Sequence, residues 1–138
     1  MIGNPVRLLL VHGSIVVLLG LLAGFPFWFA IIRDRGANRI QAWRVAHTTV
    51  LVDGLLLLVV GLISHQAGFG GAVMAGAAWA LVASAYGFVF ALIGGAWAGE
   101  RGLNPIPLGV NSLFFVGHAV GATGAIVGMG LVLYGLFR

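Results

Sequence analysis

The sequence predicts an all-α integral membrane protein, a bundle of four transmembrane helices in one domain (residues 1–138). Of its residues, 61% are hydrophobic and 7% are charged, whereas soluble domains carry about a quarter charged residues. A membrane core of about 30 Å needs about 20 apolar residues per helix, so the chain has room for four helices and short connections. Because no water reaches that depth, backbone amides must bond within each helix. The apolar stretches are long runs without period-two alternation, which excludes a membrane β-barrel.

The four helices are predicted over about 6–32, 41–65, 72–98 and 110–137. The first is uncharged after Arg7 and ends at Arg33, and it has no small-residue cleavage site, so we interpret it as a retained helix. A polar loop follows it, and the second loop, 66–71, is short and rich in glycine. The third loop contains two prolines and several polar residues, which end a helix.

All seven basic residues are arginines near helix ends, where they orient the protein and contact anionic lipid. Nucleic-acid binding would need a basic face on a folded surface, so that function is not indicated. Five of the arginines lie in or beside the first and third loops (Arg33, Arg35, Arg39, Arg44 and Arg101). The positive-inside rule then places these loops in the cytoplasm and both termini outside. We expect a multi-pass protein of the inner membrane of a bacterium.

Glycines recur at helical spacing on the fourth helix, at Gly117, Gly121, Gly124 and Gly128. Such a stripe lets a helix or a flat ligand approach closely. Helix packing is the interpretation that we favour.

Two polar residues inside the predicted membrane core are candidates for catalysis. Asp53 lies about 13 Å of helical rise beyond Arg44, near the midplane, and an ionisable group there is a functional candidate. The alternative is a neutral acid bonded to a neighbouring helix. Tyr86 lies near the middle of the third helix, shares a face with Trp79, and needs a partner for its hydroxyl group if buried.

His47 is the best candidate for a cofactor ligand, because imidazole is a usual axial ligand of haem iron in helical bundles. Trp43 lies one turn before it and Gly54 two turns after it on the same face, where a glycine leaves space for a flat macrocycle. His118, within the glycine stripe, could supply a second imidazole. We expect His12 to pack or cap, and His65 to lie at the membrane surface.

Other chemistry is poorly supported. The chain has no cysteine, which excludes disulfides, Fe–S clusters and thiolate ligands. It contains neither a His-Glu-x-x-His motif for zinc nor a Gly-x-Ser-x-Gly motif for a nucleophilic serine.

With these residues in place, the chain resembles the styrene oxide isomerases, which are small four-helix membrane enzymes. The resemblance begins at 12–13 (His-Gly) and is sharpest at 43–47 (Trp-Arg-Val-Ala-His), followed after five residues by 53–54 (Asp-Gly). It resumes at 87–88 (Gly-Phe) and 101–103 (Arg-Gly-Leu). In the fourth helix it is a match of composition only.

The resemblance implies a homotrimer that holds haem b between neighbouring subunits, with His47 as the iron ligand. It also implies that ferric iron acts as a Lewis acid on the oxygen of a small apolar epoxide. A 1,2-hydride shift then gives an aldehyde without net redox change, in an apolar cavity that excludes water.

Three departures limit what the resemblance implies about the reaction. The family has Asn where this chain has Asp53, and the family's third-helix Tyr has no counterpart in register, since Tyr86 precedes the Gly-Phe pair. His118 matches no family position, so a six-coordinate haem remains an alternative. The rival functions are therefore a haem-b electron carrier or redox or gas sensor with two axial histidines, and a cofactor-free subunit that uses Asp53 as a proton or ion site.

Overall fold

The computed structural model describes residues 3–137 and contains four long helices. They are α1 (Asn4–Ile32), α2 (Ala37–Gln66), α3 (Gly71–Ala98) and α4 (Val110–Leu136). Each is long and apolar enough to cross a membrane, and the described residues form no strand. The predicted four-helix membrane fold is confirmed.

The largest difference from the predicted boundaries is at the start of α2, which begins at Ala37 and not near residue 41. Gly36 adopts a φ of 85°, and its carbonyl accepts bonds from the amides of Arg39 and Ile40. The chain therefore reverses within a few residues. Asn38 and Arg39, whose polarity predicted a loop, form the first turn of α2.

A π-helical segment, Phe90–Gly94, interrupts α3, and nothing in the sequence predicted it. The third loop (loop 3, residues 99–109) and α4 approach α3 closely at this point. A Cβ atom at Gly94 would lie 2.7 Å from the Phe114 ring, and one at Gly95 would lie 2.7 Å from the carbonyl oxygen of Glu100. Small residues let this wider turn pack against its neighbours.

The helices pack as two pairs, α1 with α2 and α3 with α4, and α3 joins the pairs through contacts with α1 and α2. Because α4 packs mainly on α3, it lies at the edge of the bundle. The main core forms where α1, α2 and α3 meet, and its fully buried side chains include Leu9, Val16, Val50, Leu57 and Leu81.

The glycine stripe of α4 contacts α3, which confirms helix packing as its role. A Cβ atom at Gly121 would lie 2.8 Å from the Phe88 ring. The Ser84 hydroxyl group donates a hydrogen bond of 2.6 Å to the carbonyl oxygen of Gly121. The two backbones therefore approach too closely for a ligand to lie between them.

Loops 1 and 3 lie at the same end of the bundle, as four crossings require. The Arg39 guanidinium group donates a 3.3 Å hydrogen bond to the carbonyl oxygen of Trp97. The Trp43 and Trp97 rings meet edge to face, with centroids 6.1 Å apart.

Candidate functional site

His47 lies on the face of α2 that packs against α1, and its ring rests on a glycine. A Cβ atom at Gly24 would lie 3.2 Å from both Cε1 and Nδ1 of the imidazole. The Phe27 ring stacks on the imidazole, and the centroids of the two rings are 6.0 Å apart. The ring is therefore held between α1 residues in one orientation.

A hydrogen bond fixes the tautomer of the neutral His47 ring. Its Nδ1 lies 2.8 Å from the carbonyl oxygen of Gly20. Because a carbonyl oxygen only accepts, Nδ1 carries the proton and Nε2 carries the lone pair. No residue between 3 and 137 forms a hydrogen bond with Nε2. Metal-binding histidines have this arrangement, with one ring nitrogen bonded to the protein and the other free for the metal.

A groove on the outer surface of α1 includes Gly24, the glycine that contacts the His47 ring. Its volume is about 380 Å³, and its lining includes Gly24, Phe25 and Trp28. The two aromatic side chains are 65% and 57% exposed. Gly24, which has no side chain, therefore adjoins both the imidazole and this groove. Sequence reasoning missed both Gly20 and Gly24, although their spacing of four residues places them on one helix face.

The other residues predicted to help hold a cofactor have partners within the bundle. A Cβ atom at Gly54 would lie 2.6 Å from the backbone nitrogen of Val17, so α1 fills the space that was predicted for a macrocycle. Trp43 is 4% exposed and packs with small residues of α1 and α3. The glycine that adjoins an open groove near His47 is Gly24, and not Gly54.

Asp53 has a buried carboxyl oxygen, Oδ2, that forms no hydrogen bond within the described residues. A buried polar atom without a partner costs free energy and usually has a functional reason. Asp53 lies six positions after His47, which places the two about 120° apart around α2. Since His47 contacts α1, Asp53 projects from a different flank of the helix.

Tyr86 is bonded to His12, a pairing that joins α3 to α1. The Tyr86 hydroxyl group lies 3.0 Å from Nδ1 of His12, and the two rings meet edge to face. The expected partner of the phenol therefore exists, and it is a histidine 74 residues away. This pair does not include His47 or Asp53.

His118 faces loop 3 and α3, and not His47. Its Nε2 donates a 3.2 Å hydrogen bond to the carbonyl oxygen of Arg101, and its ring packs near Phe88. It lines a cavity of about 310 Å³ with Val45, Leu92 and other residues of α2 and α3. One chain therefore does not bring His47 and His118 together around a single iron.

No group of three or more His, Asp or Glu residues within 3–137 is arranged to hold a metal ion.

Comparison with known families places this geometry in context. The family model for styrene oxide isomerase matches residues 6–137. The chain belongs to the styrene oxide isomerase family. The match spans all four helices, including α4, where the sequence resemblance was one of composition only. No curated protein matches the chain. Membership of the styrene oxide isomerase family and the four-helix membrane fold are thus established together.

Proposed function

We propose that this protein is a haem-b-dependent membrane isomerase that converts a small, styrene-oxide-like epoxide to an aldehyde. Family membership supports the reaction class. The observation that carries the cofactor proposal is the His47 ring, whose Nδ1 is bonded to Gly20 and whose Nε2 forms no hydrogen bond with any residue from 3 to 137. An imidazole held in this way fits a residue that would bind haem iron.

His47 would hold the haem through Nε2, while the Gly20 carbonyl orients the ring and increases its basicity. When bound, the haem supplies a ferric iron that acts as a Lewis acid on the epoxide oxygen. Opening at the benzylic carbon and a 1,2-hydride shift give the aldehyde, so atoms and electrons balance without an added reagent.

Asp53 is the proposed contact for the substrate oxygen. Its unpaired carboxyl group, when protonated, donates a hydrogen bond as the Asn amide of the family does. The residues beside it on α2, Val50 and Leu57, are fully buried and apolar. Such surroundings exclude water, which would otherwise capture a cationic carbon as a diol.

Tyr86 remains a predicted catalytic residue. Its hydroxyl group is bonded to His12 of α1, so a contact with substrate would require exchange of that bond.

The proposal includes a homotrimer with haem at subunit interfaces. The groove beside His47 lies on the outer surface of α1, where Phe25 and Trp28 are exposed. A second subunit would close this groove over a flat ligand. The arginine distribution also supports a bacterial inner-membrane location with loops 1 and 3 in the cytoplasm.

The test is haem content together with epoxide turnover. Purified protein is expected to bind about one haem per chain and to convert styrene oxide to phenylacetaldehyde, and His47→Ala is expected to lose both. His65→Ala, at an exposed helix end, is the matched control and should retain both. Full haem content in His47→Ala would contradict the ligand assignment. A six-coordinate, low-spin spectrum would favour an electron carrier or sensor with two histidine ligands. Within one chain, His118 is not placed to be the second ligand.

A further inference from the structure

A second cavity, of about 560 Å³, lies between the start of α1 and the first half of α3. Leu8, Ala75 and Trp79 form an apolar part of its wall, whereas Arg7 and His12 are polar. It shares no lining residue with the groove beside His47. The roles proposed for His47 and Asp53 do not involve it.

Among the residues that the structure describes, Arg7 gives this cavity a positive charge, and no acidic side chain lines it. The chain has three acidic residues: Asp34 and Glu100 lie at the opposite end, in loops 1 and 3, and Asp53 lies within α2. Arg7 forms no ion pair with any residue between 3 and 137. It also lies in the first turns of α1, where free backbone amides and the helix dipole add positive potential.

His12 adds a hydrogen-bond donor to the same cavity. When the Tyr86 hydroxyl group donates to Nδ1 across their 3.0 Å contact, the proton of the imidazole resides on Nε2. No described residue accepts a hydrogen bond from this Nε2. An oxygen atom bound in the cavity can therefore be its acceptor.

The depth of Arg7 indicates which anion would reach it. The 29 residues of α1 span about 44 Å at 1.5 Å per residue, which is longer than the hydrocarbon core of about 30 Å. The first turn of α1 therefore extends into the headgroup region. Trp79, which is 63% exposed, continues the apolar wall toward the core.

We propose that this cavity binds an anionic phospholipid, with the phosphate at Arg7 and His12 and an acyl chain along Leu8 and Trp79. The lining of this cavity thus combines the cation, the hydrogen-bond donor and the apolar surface that such a lipid requires. A zwitterionic lipid would place its own cation beside Arg7 and bind more weakly.

Native mass spectrometry of protein released from nanodiscs tests this proposal. The discs contain equal amounts of phosphatidylglycerol and phosphatidylcholine, with added oleate as a competing anionic amphiphile. Wild-type protein should retain one phosphatidylglycerol per chain. Arg7→Gln should reduce its retention about fivefold, because one arginine near a membrane surface contributes about 1 kcal/mol. Arg33→Gln, whose guanidinium group lies over the Phe29 ring and outside the cavity, should retain it.

Ala75→Phe is a second variant, since it fills the cavity without changing charge and should also displace the lipid. Equal retention by wild-type and both cavity variants would overturn the proposal. So would retention of oleate in place of phosphatidylglycerol, or of no amphiphile at all.

Discussion

Replacement of Gly24 by a larger residue is expected to weaken haem binding while the helices remain folded. A Cβ atom at this position would lie 3.2 Å from Nδ1 and Cε1 of His47, closer than ordinary van der Waals contact. The imidazole is restrained by Gly20, through a 2.8 Å hydrogen bond, and by Phe27. It can make room only by moving a few tenths of an ångström, which would lengthen the bond to Gly20.

The size of the effect follows from the role of that bond. Loss of the hydrogen-bonded partner of a metal-binding histidine lowers metal affinity about 10- to 100-fold, or about 1.4 to 2.7 kcal/mol. Gly24→Ala should lie near the lower value, since the bond is lengthened and not removed. Gly24→Val, with two further methyl groups, should lie near the upper one. Helix propensity acts in the opposite direction, because alanine is favoured over glycine by up to about 1 kcal/mol.

Titration of haem into detergent-purified apoprotein, followed at the Soret band, measures this affinity. Gly130→Ala is the matched control: it makes the same change on α4, where an added Cβ atom meets nothing within 4 Å. Circular dichroism would show that the helix content is unchanged. If Gly24→Val bound haem as tightly as Gly130→Ala, the placement of haem beside Gly24 and His47 would be refuted.

Two further predictions concern the substrate contact and the assembly. Asp53→Asn should keep haem and isomerise styrene oxide, because an amide also donates a hydrogen bond, whereas Asp53→Leu should keep haem and lose turnover. Full turnover in the leucine variant would show that Asp53 is only a buried structural acid. Native mass spectrometry should give a particle of three haem-loaded chains, and a haem-loaded monomer would contradict the trimer.

The fold was predictable because the signal for a membrane helix is local. Run length and the absence of charge define α1 and α4 without knowledge of any contact. Local signals do not predict a helix boundary or irregularity that depends on a tertiary contact or on one backbone angle. The φ of Gly36 moves the start of α2, and the approach of Phe114 and loop 3 accompanies the π turn in α3.

The candidate site was predictable in part. Imidazole chemistry singled out His47, and the cost of a buried carboxyl group singled out Asp53. The partners of these residues could not be predicted, since the Gly20 carbonyl is 27 residues from His47. The choice between Gly24 and Gly54 also depends on which glycine a neighbouring helix covers, and only packing shows that α1 covers Gly54.

The angle between His47 and Asp53 has a consequence for the proposed assembly. They point about 120° apart on α2, and His47 is held against α1, so we propose that a substrate reaches both residues only between two chains. In a cyclic trimer each site would combine His47 of one subunit with Asp53 of the next. Mixing His47→Ala chains with Asp53→Leu chains at equal amounts should then restore about a quarter of wild-type turnover, since one interface in four pairs two intact residues. Each variant alone should be inactive. A mixture without activity, in trimers that native mass spectrometry shows to contain both chains, would mean that His47 and Asp53 serve the same subunit's site.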